Sequence, residues 1–167
     1  MDKSKTLNIL KNAFLMERQG KHLYETARDN AEDPSVKEFF QTLVDDEQEH
    51  MDILEKQFKA YMNSGKFAAG RYDNDGGAEP APEILDDAVI KNINAAGFEA
   101  TAITAAIGFE EKAIKLYALR SEETSDPEEK KLYKWLSVWE STHLKKLISL
   151  QEGLMDRVWE DNSFWPF

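Results

Sequence analysis

Two stretches of the chain place a glutamate three residues ahead of a histidine: Glu47 before His50, and Glu140 before His143. On a helix that spacing puts both side chains on one face. A carboxylate beside an imidazole can hold a metal ion, pass a proton, or sit in solvent as a weak pair. The flanking residues decide among these. Val36, Phe40, Leu43, Leu54 and Tyr61 recur with Glu47 and His50 at helical spacing. Leu132, Leu136, Trp139, Leu147, Leu150 and Leu154 do the same around Glu140 and His143. Both patterns are apolar stripes of core-facing helices, so the two glutamates and two histidines point inward.

The two stretches are copies. Shifting the chain along itself by 93 residues pairs Glu17 with Glu110, Tyr24 with Tyr117, Asp33-Pro34 with Asp126-Pro127, Glu47 with Glu140, and His50 with His143. Between residues 13 and 54, eleven of 42 positions are identical in this register. Repetition of this kind means one supersecondary unit used twice. The chain has three histidines, and two of them are partners in the repeat. Glu17 follows Leu10 and Phe14 inward, with Tyr24 two turns further on. Glu110 follows Ile103 and Ile107, with Tyr117 in the equivalent place.

Four inward glutamates need compensation, because desolvation and mutual repulsion would otherwise force most of them to take up protons. Two divalent cations cancel the four charges, and two neutral imidazoles add nitrogen ligands without disturbing that balance. An oxygen-rich set with one nitrogen per metal suits iron or manganese, and the absence of thiolates disfavours structural zinc. A glutamate from each of two helices, with Glu-x-x-His from each of two others, is the pattern of two-metal carboxylate bundles. A lone Glu-x-x-His is usually a solvated pair; two in register, each with a partner glutamate, point to a metal centre.

The elements that must position these residues follow from the same pattern. Strand-like alternation is absent, and four long helices are expected at about 5–31, 34–63, 97–124 and 127–156, with a shorter helical piece near 83–94. Asp33-Pro34 and Asp126-Pro127 each mark a helix start, an N-cap followed by proline at the first helical position. Tight turns there make two antiparallel hairpins, 5–63 and 97–156. Residues 64–83, with Gly65, Gly70, Gly76, Gly77, Pro80 and Pro82, read as the start of a long crossover spanning 64–96. The role of this loop is left open between a plain crossover and a contact with another subunit. The aromatic tail 157–167 is expected to fold over the bundle, with a subunit contact as the second reading. The chain is thus read as one all-α domain, an antiparallel four-helix bundle of two repeated hairpins.

Over roughly residues 5–62 and 97–155 the sequence resembles the ferritin-like proteins of the rubrerythrin branch. The resemblance implies that Glu17, Glu47, His50, Glu110, Glu140 and His143 are the metal ligands, with Glu47 and Glu140 bridging and Glu17 and Glu110 terminal. It implies two iron ions per chain, with manganese or a mixed pair as the alternative. Rubrerythrins proper carry a further carboxylate one turn after the third-helix glutamate, where this chain has Ala113. They commonly carry a cysteine-rich rubredoxin domain as well, and this sequence contains no cysteine. The implied activity is a non-haem di-iron oxidoreductase that reduces hydrogen peroxide with an external electron donor protein, working as a homodimer. The rival is a ferroxidase or iron-storage protein using dioxygen or peroxide, in which iron is substrate. An oxygenase is a weaker choice, and a helical interaction protein with a structural metal pair is the non-enzymatic one. Tyr24 and Tyr117 are candidates for orienting the carboxylates or carrying redox equivalents, against a plain role as core aromatics.

Composition narrows the rest. A net charge of −11 argues against nucleic-acid or acidic-membrane partners. The lack of cysteine excludes disulfides, iron–sulfur clusters and thiol nucleophiles and is compatible with a reducing cytosol. No apolar run reaches membrane-spanning length, and the N-terminus lacks a signal-peptide core, so a cytoplasmic protein is expected. His22, Asp45, Asp46, Glu49 and Glu111 read as solvated, although Asp46 could reach a neighbouring helix.

Overall fold

The computed structural model describes residues 3–70, 87–93 and 97–161, and no strand occurs among them. Five helices follow in order: α1 Lys3–Asn30, α2 Pro34–Ser64, α3 Asp87–Asn92, α4 Phe98–Glu123 and α5 Pro127–Asp161. α1 packs along α2, α4 packs along α5, and α1 lies against α4. α2 faces α5 through side chains of the site described below.

Each hairpin turns on an Asp-Pro pair, as expected. Asp33 accepts a hydrogen bond from the Ser35 N–H at 2.8 Å, with Pro34 opening α2. Asp126 accepts from the N–H groups of Glu128 and Glu129 at 2.9 and 3.0 Å, with Pro127 opening α5. These carboxylates satisfy donors that have no partner inside the helix. α2 ends at Gly65, whose φ of 71° lets its N–H close back on the Tyr61 carbonyl at 2.8 Å. A side chain at that left-handed position would be strained.

Behind the turns the hairpins differ. The first packs Ala27, Ala31 and Val36 there, all buried. The second buries an ion pair in which Arg120 donates to Glu129 at 2.6 and 2.8 Å, while the Thr124 hydroxyl donates to the other Glu129 oxygen at 2.5 Å.

Two apolar clusters fill the bundle. One contains Tyr24, Phe40, Leu43, Ile103, Leu147 and Leu150; the other contains Leu10, Leu54, Tyr117, Leu132, Leu136 and Trp139. Along every long helix the inward glutamates and histidines fall between the two clusters in sequence, so the site is a polar layer across an apolar core. α2 runs toward the second cluster and α4 starts from the first, so the connection between the hairpins leaves and re-enters at opposite ends of the bundle. Its beginning is held by Phe67, whose ring lies tilted against Tyr61 with centroids 5.0 Å apart, and by Ala68, paired with Gln57 through both amide groups. Residues 71–86 and 94–96 of the expected crossover lie outside the described residues.

α5 continues five residues beyond its expected end, so residues 157–161 belong to the helix and not to a tail. No proline or glycine follows Gly153 until Pro166, and α5 is tied to α3. Arg157 donates to the Ile90 and Ile93 carbonyls at 2.7 and 2.6 Å, satisfying the C-terminal end of α3. Gly153 permits the close approach, since a Cβ there would lie 2.8 Å from Ile90. Residues 162–167 lie outside the described residues, as does any contact they make.

Candidate metal centre

The structure brings all six sequence-predicted ligands together. Glu17 comes from α1, Glu47 and His50 from α2, Glu110 from α4, and Glu140 and His143 from α5, and none exposes more than 2% of its surface. They form two overlapping groups whose ligand atoms lie within 4.8 Å of one another: Glu17, Glu47, His50 and Glu140, and Glu47, Glu110, Glu140 and His143. Glu47 and Glu140 belong to both. The two imidazole rings lie nearly parallel, with centroids 5.8 Å apart.

Each histidine turns Nδ1 toward the carboxylates. His50 Nδ1 is 3.0 Å from Glu140, 3.2 Å from Glu17 and 3.6 Å from Glu47. His143 Nδ1 is 3.0 Å from Glu140, 3.5 Å from Glu47 and 3.6 Å from Glu110. Of these contacts only that of His50 Nδ1 with Glu17 has hydrogen-bond geometry. Among the described residues, Glu47 Oε2, both Glu140 oxygens and His143 Nδ1 are buried without a hydrogen-bond partner. Buried polar atoms are almost always satisfied, so four orphans directed at one spot fit a cation that would accept them all.

The two tyrosines cross between the hairpins. The Tyr24 hydroxyl, from α1, donates to Glu110 on α4, and the Tyr117 hydroxyl, from α4, donates to Glu17 on α1. Burial, followed by the neighbouring carboxylates, raises both phenols well above their ordinary value, so they remain neutral donors. Each fixes one oxygen of a glutamate that belongs to a single group.

Electrostatics separates the shared carboxylates from the others. Burial, reinforced by Glu140 and Glu47, raises Glu17 well above the carboxylate range. Burial and Glu140 push Glu110 to about 8. Burial also opposes ionisation of Glu140 and Glu47, yet the imidazoles and hydrogen bonds outweigh it, and both are held low. For His50 and His143 burial disfavours the charged form, but the surrounding carboxylates win and raise both. On protein charges alone, protons on Glu17, Glu110 and the two rings would balance Glu47 and Glu140. Two dications would displace those protons and leave the same neutrality.

Other predicted positions sort cleanly. His22, Asp45, Glu49 and Glu111 are exposed. Asp46 is only partly exposed and reaches α5, its Oδ2 3.1 Å from His143 Nε2. Ala113 is buried one turn after Glu110 and supplies no ligand.

Three neighbours of the site were not legible as such in the sequence. Trp135 and Trp139 stand edge-on to the His50 ring, with centroids 5.6 and 5.2 Å away. Their place in an apolar stripe reads as core. Gly20 lies against Glu47; a Cβ there would sit 3.5 Å from that carboxyl group and 2.9 Å from the Phe109 ring. Its one signal is a glycine in mid-helix, one turn after Glu17.

Comparison with known proteins agrees with this geometry. A solved two-domain protein from Anabaena variabilis, described as containing DJ-1/ThiJ/PfpI-like and ferritin-like domains, superposes with a TM-score of 0.64 at 16% identity. The match covers 91% of this chain and 40% of that one, and it establishes a ferritin-like fold. No curated protein matches the sequence. The family model for rubrerythrin matches residues 8–151. With most of its length and its whole buried glutamate–histidine cluster inside that match, the chain belongs to the rubrerythrin family.

Proposed function

We propose that the centre holds two iron ions and that the protein reduces hydrogen peroxide with electrons from an external donor protein. Glu47 and Glu140 would reach both ions, Glu17 and His50 would complete one position, and Glu110 and His143 the other. The observation that carries this reading is the set of orphaned donor atoms in two groups that share two carboxylates. Bound iron would supply the two electrons that turn peroxide into two waters. That reduction also takes up two protons, delivered from outside the ligand set because Glu17 and Glu110 give up theirs to bind iron. Tyr24 and Tyr117 hold those two glutamates in place, and the apolar clusters on either side exclude bulk water.

A second reading, a ferroxidase that treats iron as substrate, is favoured by Ala113. Without the additional carboxylate of rubrerythrins proper, iron would be held by six groups only. Anaerobic Fe(II) titration followed by rapid mixing with peroxide or dioxygen separates the two. Two ions per chain and faster oxidation by peroxide support the reductase. Continued turnover of excess Fe(II) with mineral formation, in an assembly of many subunits by light scattering, supports the ferroxidase. Retention of manganese in place of iron would replace the metal assignment, and failure to bind either would remove both readings.

A further inference from the structure

We propose that the two metal positions are unequal, and that Asp46 and Trp139 make them so. The proposal rests on the two-metal reading above and concerns these residues' action on the ligands. In the 93-residue register, the residue preceding Glu47 is Asp46 and the residue preceding Glu140 is Trp139. Each occupies the same place on its helix, and each lies against the histidine of the opposite hairpin. Asp46 is 3.1 Å from Nε2 of His143. Trp139 presents an indole to His50 at 5.2 Å and 90°, with Trp135 beside it at 5.6 Å. Nε2 of His50 is buried and, among the described residues, has no hydrogen-bond partner.

A histidine that binds metal through Nδ1 carries its proton on Nε2. A carboxylate accepting that proton fixes the tautomer, holds the ring and strengthens the nitrogen donor; its loss weakens metal binding by about 10- to 100-fold. His143 has this support and His50 does not. The position built on Glu110 and His143 is therefore the tight one and fills first. The position built on Glu17 and His50 is weaker by about 10- to 100-fold and exchanges its ion more readily. Repulsion between two cations would make binding stepwise in any bundle of this kind, but it would not choose which position fills first. Asp46 and Trp139 make that choice.

The test is calorimetric titration of the full chain with Co(II), repeated on variants, with folding checked by circular dichroism. His50→Ala should retain one equivalent with near-native tight affinity. His143→Ala should retain one equivalent bound about 10- to 100-fold more weakly. Asp46→Ala should weaken the first step alone. Trp139→Asp, which supplies His50 with an acceptor, should draw the second step toward the first, whereas Trp139→Phe should leave the gap as it was. Equal residual affinities in the two histidine variants would overturn the proposal while leaving the two-metal reading intact. If the native chain binds no Co(II), both fall.

Discussion

The two hairpins carry the same chemistry on different supports. Each contributes a terminal-type glutamate, a shared glutamate, a histidine and a tyrosine, all at matching positions. Around those residues the copies diverge. Behind its turn the first hairpin has Ala27, Ala31 and Val36, where the second has Arg120, Thr124 and Glu129. Beside the shared glutamate the first has Asp46, where the second has Trp139. The ligand geometry tolerates either an apolar or an ionic junction, provided the junction is satisfied within itself. What holds a hairpin's end together is thus separable from what the centre needs.

The largest effect expected from breaking this symmetry falls on the shared carboxylates. Glu140→Ala should remove both ions, whereas Glu17→Ala should remove one, as read by metal content after reconstitution and desalting. Equal loss in the two variants would mean that Glu140 is not shared.

Next comes the ionic junction of the second hairpin. Arg120→Ala leaves Glu129 buried without its cation and should destabilise the fold by about 3–5 kcal/mol in chemical denaturation. Arg120→Met with Thr124→Ala and Glu129→Leu makes that junction apolar, like the first hairpin's, and should be close to neutral. A triple variant as unstable as the single one would show that the ion pair is required for itself.

The pH dependence separates the protonated layer from its apolar surroundings. Glu17, Glu110, His50 and His143 all have folded-state values raised above their ordinary ones. Between the ordinary carboxylate range and about pH 8 the folded state therefore binds more protons than the unfolded state. The stabilisation is fully present below the unfolded values and is lost as pH rises through the folded ones. After chelation, the thermal midpoint should fall between about pH 5 and about pH 8, and saturating metal should flatten or reverse that trend. A chelated midpoint that climbs with pH would contradict the assignment.

The smallest effect compares Gly20 with its mate Ala113. Gly20→Ala gains about 1 kcal/mol in helix propensity. It also crowds Phe109, an overpacking penalty of about 1–3 kcal/mol, so a modest net loss is expected. A net gain would mean that the Phe109 ring yields freely.

Self-comparison of the sequence located the buried cluster because it reports sameness: Glu17, Glu47 and His50 reappear as Glu110, Glu140 and His143. The same method is blind to difference. Arg120 and Glu129 align with alanine and valine, and nothing local marks a charged pair as buried in the interior. Asp46 sits about 100° around the helix from Glu47, where a carboxylate ordinarily meets solvent, and only the approach of α5 gives it His143. Trp139 lies in a clear apolar stripe, so its second task, lying against an imidazole, was hidden by its first. The length of α5 depended on a contact with α3, and no local signal anticipates such a contact.

The crossed tyrosines couple the two halves mechanically. Tyr24 holds a carboxylate of the other hairpin and Tyr117 returns the grip, so neither half can slide without disturbing both clasps at once. A slip of a single helical rise, about 1.5 Å, would misalign every donor in the layer together. The centre consequently gauges the alignment of the whole bundle, and any partner that levered the hairpins apart would loosen its contents from a distance.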